Sequence, residues 1–264
     1  MYKRQTLLFQ TLTNNPILTP SILGFDSLYL LLQTVLVFLL GGLGFTQLPI
    51  ANKFAFETLL MLGAALLLFR TLTKDNADIA RMLLIGVVFG VFFRSVNNLL
   101  QRMIDPEEFA VAQSSSFASF NSANPTLLTI GIIIALLSSI WVWTQRHKLD
   151  VLMLGKHKAI GLGINYNRFS HQLLICCALL VSVSTALVGP ILFLGLLVCA
   201  IVNAISPTMQ HAIRIPLTFI ISAITLALGQ AVFEQLFKLQ GVLSVVIEFL
   251  GGIVFIYLML KKQK

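Results

Sequence analysis

Charge is scarce in this chain. Only 11% of its 264 residues are charged and just 10 are acidic, whereas 57% are hydrophobic. A water-soluble globule of this length has too little interior for so much apolar surface, and the mean hydropathy of +0.91 points to lipid as the solvent. Cysteine is nearly absent too. Cys176, Cys177 and Cys199 all fall in apolar runs, and the adjacent pair point in different directions, which leaves small core residues rather than a disulfide framework or a metal site. The four histidines, His147, His157, His171 and His211, have no carboxylate or second histidine at ligand spacing and read as solvated or interface residues. There is no phosphate-binding glycine loop, nucleophile elbow or paired-carboxylate motif. ATP hydrolysis or other covalent chemistry would therefore come from another chain, and this one reads as a non-enzyme that binds no cofactor and no metal.

Long apolar runs are what the chain does have. Runs close to the roughly 20 residues that cross a bilayer recur at 22–40, 54–69, 80–100, 127–143, 172–187, 189–205, 215–233 and 242–260. Backbone groups in lipid must be satisfied within the protein, and these runs are uniformly apolar rather than alternating, so they are helices and not barrel strands. The fold class is all-α: a polytopic transmembrane helical bundle with about eight spans. The stretch 173–205 is long for one crossing and short for two, with Val188-Gly189-Pro190 in its middle. Charge decides for two. Lys and Arg prefer cytoplasmic connections, and Arg70, Lys74 and Arg81, then Arg146, Lys148, Lys156, Lys158 and Arg168, then Arg214, then Lys261, Lys262 and Lys264 fall at alternate ones. Both termini become cytoplasmic, with Lys53, Arg94, Arg102 and Lys238 left to the outer half. The net charge of +8 is the product of this bias and calls for no nucleic-acid partner.

Several residues stand out against that background. The segment 149–165 is a polar, basic island between apolar runs, either a handle for a soluble partner or an ordinary inside-positive loop. Ionisable residues at membrane depth are costly and invite a functional reading; Arg94 and Glu248 qualify, with Glu248 the one plausible deep carboxylate. Arg94 lies with Asn97 and Asn98 near the outer end of its helix, where it either attracts an anion or snorkels to headgroups. Gly189 and Pro190 break a helix, forming either a gate or a tight extracellular turn. Gly41, Gly42 and Gly44, and later Gly251 and Gly252, suit close helix packing.

Five segments then occur in a familiar order. Thr13-Asn14-Asn15-Pro16-Ile17-Leu18-Thr19-Pro20-Ser21-Ile22-Leu23-Gly24 resembles the RNPLADPxxLG segment of FecCD-like ABC importer permeases, which carry iron-siderophores and cobalamin. Asp105-Pro106-Glu107-Glu108 with Phe117-Ala118-Ser119-Phe120 resembles the family's outer connection. Leu154-Gly155 with Ala159, Leu162 and Gly163 resembles its LGxxxAxxLG coupling segment. Val188-Gly189-Pro190-Ile191-Leu192-Phe193-Leu194-Gly195-Leu196-Leu197-Val198 is similar to the VGPIxFVGLxVPH signature, and Gly251-Gly252 before Phe255-Ile256-Tyr257-Leu258 resembles the closing GxPFFIYLL. The family's Pro-His and Arg after the signature are replaced here by Cys199, Ala200 and Asn203, so those positions inherit no role.

The resemblance implies one transmembrane permease domain over 1–264, with 149–165 as the cytoplasmic coupling segment. Members usually carry about two more spans before the Asn-Pro segment, so the expectation is an eight-span portion of a ten-span permease. It also implies a second permease subunit, as homodimer or heterodimer, a separate ATP-binding subunit that uses ATP, an extracytoplasmic substrate-binding protein, and a bacterial cytoplasmic membrane. Leu154, Gly155, Ala159, Leu162 and Gly163 would couple to the ATPase, Gly189, Pro190, Arg94 and Asn97 would line the path or gate, and Arg102 and Lys238 would meet the binding protein. The Phe92-Phe93-Arg94-Ser95-Val96-Asn97-Asn98 run looks more like the iron-chelate branch than the cobalamin branch. The expected cargo is a ferric siderophore, catecholate first. Alternatives are a cobalamin or haem permease of the same family, a secondary transporter driven by an ion gradient, and a membrane scaffold without transport activity.

Overall fold

The computed structural model describes residues 2–73, 79–117, 124–206, 208–235, 247–249, 251–253 and 256–257. Among these, every regular element is helical: α1 (Tyr2–Thr13), a single 3-10 turn (Pro20–Leu23), α2 (Phe25–Gln47), α3 (Ile50–Thr73), α4 (Ile79–Gln101), α5 (Pro106–Ser115), α6 (Pro125–Thr144), α7 (Arg146–Leu152), α8 (Lys156–Gly161), α9 (Tyr166–Val188), α10 (Leu194–Ile205) and α11 (His211–Gln235). Six of them, α2, α3, α4, α6, α9 and α11, are long and apolar enough to cross a membrane. The expected runs at 22–40, 54–69, 80–100, 127–143, 172–187 and 215–233 each fall largely within one of these helices.

The expected run at 189–205 is different. Residues 189–193 are not helical, and α10 has only 12 residues, about 18 Å of helix at 1.5 Å per residue against a hydrocarbon core of about 30 Å. An uninterrupted apolar sequence thus hides a short helix. The run at 242–260 lies mostly outside the described residues, although 247–249 and 251–253 are helical.

The chain divides into two compact units, Met1–Thr19 with Ile134–Leu180 and Ile191–Lys264, and Pro20–Ile133 with Val181–Pro190. In the second unit, α2 and α4 pack closely because α4 presents Gly86 and Gly90, one turn apart. A Cβ built on Gly24, the residue preceding α2, would lie 2.6 Å from the Cα of Gly90, and one on Gly86 would lie 2.6 Å from Cδ2 of Leu23. Small residues at this spacing are a common device for bringing helices together in lipid. Near its end α2 kinks at Gly41, and the next amide, Gly42 N–H, donates to Glu108 Oε1 of α5 at 3.2 Å. Val37, Phe45, Ile104 and Ala112 form a buried cluster there.

In the first unit α1 packs against α10 and α11. Leu7, Leu8, Phe9 and Leu12 of α1 are buried, and α10 meets α1 where Gly195 leaves no room for a Cβ beside Thr6. The cysteines are free and buried, and Cys177 Sγ lies 3.6 Å from the Gln5 carbonyl.

Candidate functional site

The coupling-like segment folds as two short helices joined at Gly155. That residue has φ 94 and ψ 164, a conformation open essentially to glycine, and its carbonyl accepts the Ala159 N–H at 3.0 Å to start α8. The helix is closed by Gly163 (φ 83). Gly163 N–H donates to the Ile160 carbonyl at 2.9 Å and Ile164 N–H to the Ala159 carbonyl at 3.0 Å, the paired bonds of a Schellman ending. The spacing Gly155-x7-Gly163 therefore encodes a helix of fixed length. Ala159 is fully buried, whereas Leu154, Ile160 and Leu162 are 51%, 52% and 62% exposed. Exposed Lys158 and His157 and half-buried Lys156 accompany them. The result is a small apolar face among basic groups, held on a rigid turn.

Leu154 and Leu162 are exposed and Ala159 is buried, while Gly155 and Gly163 set the backbone. A Cβ on Gly161 would meet nothing within 4 Å in this chain.

The helix before this face is anchored. Leu149 and Leu152 of α7 are buried, and α7 packs on α11 and α1. Asp150 Oδ1 accepts both the backbone N–H of His211 at 2.8 Å and its ring Nδ1–H at 2.6 Å. The other ring nitrogen lies 2.8 Å from the Thr11 hydroxyl. His211 is therefore neither solvated nor without a carboxylate, as spacing suggested; the carboxylate is 61 residues away in sequence. Arg214, expected in a cytoplasmic connection, is 5% exposed in the first turns of α11 and donates to Asn203 Oδ1 of α10.

In the second unit the structure places Arg94 exposed on α4 and Asn97 buried on the same helix, with Asn97 Oδ1 unbonded. Sequence reading missed Asp26, which is 7% exposed, lies within electrostatic reach of Arg94 and has a buried Oδ2 without a hydrogen-bond partner. It also passed over Glu57, 1% exposed, whose Oε1 accepts from Gln33 Nε2 at 2.7 Å and lies 3.9 Å from Lys53 Nζ. Glu248 is thus not the lone carboxylate within the spans. The rule that flagged Arg94 would have found both, since each interrupts an apolar run. Arg102, exposed just beyond α4, lines a cavity of about 520 Å³ with Asn98, Gln101, Ile104, Pro106 and Phe109. Lys238 lies outside the described residues. Gly189 and Pro190 are buried where α9 ends, and Gly189 N–H donates to the Thr185 carbonyl at 2.8 Å. No cluster of potential metal ligands occurs among the described residues.

The profile of the FecCD transport family matches residues 6–261. The chain belongs to the FecCD transport family. Among curated relatives, the petrobactin import system permease protein YclO of Bacillus subtilis is 48% identical over 263 residues, which cover 98% of this chain and 82% of that one. The petrobactin import system permease protein FatC of Bacillus anthracis is 34% identical over 259 residues, 98% of this chain and 73% of that one. A solved ABC transporter described as of the metal-chelate type, in an inward-facing conformation, superposes with a TM-score of 0.86 at 21% identity, covering 98% of this chain and 81% of that one. The chain thereby has the fold of an ABC transporter permease and is a multi-pass membrane protein of a transport family.

Proposed function

We propose that this chain is the membrane permease subunit of an ATP-driven importer that moves a ferric siderophore across a bacterial cytoplasmic membrane. The observation that carries the reading is the 48% identity to a petrobactin import permease along 98% of the chain, and petrobactin is the first chelator to test. A separate ATP-binding subunit docks on the face made by Leu154, Ile160 and Leu162, where apolar contact supplies the adhesion and the surrounding Lys156 and Lys158 favour an acidic rim. Nucleotide binding then moves α8 as a unit, because Gly155 and Gly163 fix its ends.

A second permease subunit completes the path. Arg94, held near Asp26, presents a cation that favours an anionic chelate, and Asn97, Gly189 and Pro190 line the route or its gate. At the outer surface Arg102 and Lys238 meet acidic groups of the binding protein that delivers the chelate. ATP is consumed by the partner, and this chain needs no cofactor of its own. The buried carboxylate of Glu57 does not favour an ion-driven transporter, because it already has a hydrogen-bond donor and a nearby cation.

Replacing Gly155 with valine tests this reading. An ATPase-coupled permease loses chelate uptake while still inserting normally, and a transporter without an ATPase keeps it.

A further inference from the structure

The exposed face of α8 is only the receiving end of a coupling device; something must carry its displacement into the membrane helices. Apolar contacts alone allow α7 to slide. Among the described residues a buried chain of side-chain hydrogen bonds leaves α7 for elements distant in sequence, and it runs through Asp150 on α7, His211 at the first residue of α11, and Thr11 on α1.

Each link has a physical reason to be stiff. Asp150 lies across the N-terminus of α11, where unpaired amides and the helix dipole favour a carboxylate; its Oδ1 takes the first amide at 2.8 Å and the imidazole Nδ1–H at 2.6 Å. A two-point attachment of one oxygen to one residue fixes orientation as well as distance. The imidazole is wholly buried, so water does not reach the ring side of either bond, while the Asp150 carboxylate is 32% exposed at the coupling end. At its far side Nε2 meets the Thr11 hydroxyl at 2.8 Å, and that hydroxyl lies 2.9 Å from the Leu7 carbonyl one turn back in α1. The path from the coupling segment into two bundle helices is thus continuous and involves no flexible side chain longer than histidine.

We infer that Asp150, His211 and Thr11 form a strut that transmits movement of the coupling segment to α11 and α1, with Asp150 and His211 as positioning residues for transport. This rests on the importer reading above. Breaking the strut leaves the ATPase-docking face intact, because Leu154, Ile160, Leu162 and the two glycines are untouched. Nucleotide turnover then continues without productive movement.

The test reconstitutes the whole importer in proteoliposomes and measures ferric petrobactin uptake and phosphate release together for wild type, Asp150→Ala, Asp150→Asn, His211→Asn and Thr11→Val. Uptake per ATP hydrolysed is expected to fall about fivefold or more in Asp150→Ala, within the range of site-to-site coupling, while the ATPase subunit co-purifies at the wild-type level. Asp150→Asn keeps an acceptor for the α11 amide and recovers part of the loss. His211→Asn reaches Asp150 but not Thr11 and falls in between. An unchanged ratio in every variant, beside a working wild type, overturns the strut alone. A proportional loss of uptake and hydrolysis with a weakened complex also overturns it, since that marks a structural role. Should Asp150→Ala not assemble, Thr11→Val decides, because it removes one hydroxyl at the far end of the path. A wild type that takes up no chelate contradicts the importer reading and this inference together.

Discussion

A side chain on Gly24 would collide with the backbone of Gly90: its Cβ would stand 2.6 Å from the Gly90 Cα. This contact lets the turn before α2 lie directly on α4, and it makes a prediction. Gly24→Ala must push two backbones apart and is expected to destabilise the protein by about 1–3 kcal/mol. Gly63→Ala, which meets nothing within 4 Å, serves as the control. Thermal unfolding of the detergent-solubilised variants measures the difference.

The two glycines that bound α8 predict a graded series. Gly163→Ala keeps its backbone bonds but places a Cβ in the left-handed region, costing roughly 1 kcal/mol, and should lower coupled ATPase activity modestly. Gly155→Val cannot adopt the extended positive-φ conformation and should abolish coupling. Gly161→Ala should be silent. ATPase stimulation by the loaded binding protein distinguishes the three.

Gln33 and Glu57 form a buried bond in the second unit. Gln33→Leu leaves the Glu57 carboxylate with Lys53 at 3.9 Å and one fewer donor, an expected cost of about 1–3 kcal/mol. Combining it with Glu57→Leu removes the hydrogen-bonded pair and should restore only part of the loss, because Lys53 then lacks its carboxylate. A double-mutant cycle in thermal unfolding reads the coupling.

Arg94 is exposed near Asp26, so Arg94→Gln is expected to weaken uptake of an anionic chelate by about twofold to fivefold, the scale of an exposed ion pair, chiefly through KM. Arg94→Lys should retain most of it. Uptake against chelate concentration gives both parameters.

Much of this architecture is legible in the sequence because lipid imposes one solution on a long apolar run. Six helices follow from that alone. The shortness of α10 was not legible, because hydropathy is continuous across 189–205 while Gly189 and Pro190 hold the backbone out of helix until Leu194. The segment 149–165 was legible as a motif, but its local geometry was not: two glycines at the helix ends, two leucines outward and one alanine inward. The His211–Asp150 pair was invisible, since spacing cannot join residues on α7 and α11. Asp26 and Glu57 were legible by the rule that marks Arg94, each being a carboxylate inside an apolar run. Gly86-x-x-x-Gly90 was likewise a readable packing signal.

ATP-driven siderophore transport through this chain is tested most directly in proteoliposomes. Proteoliposomes holding the permease with its partner permease where one is required, its ATPase and its binding protein should accumulate labelled iron from ferric petrobactin only when ATP is supplied, and far less from an uncharged chelate. Hydrolysis of ATP by an intact complex without uptake of iron from any catecholate, hydroxamate or carboxylate chelate would contradict the account and point instead to cobalamin or haem as cargo.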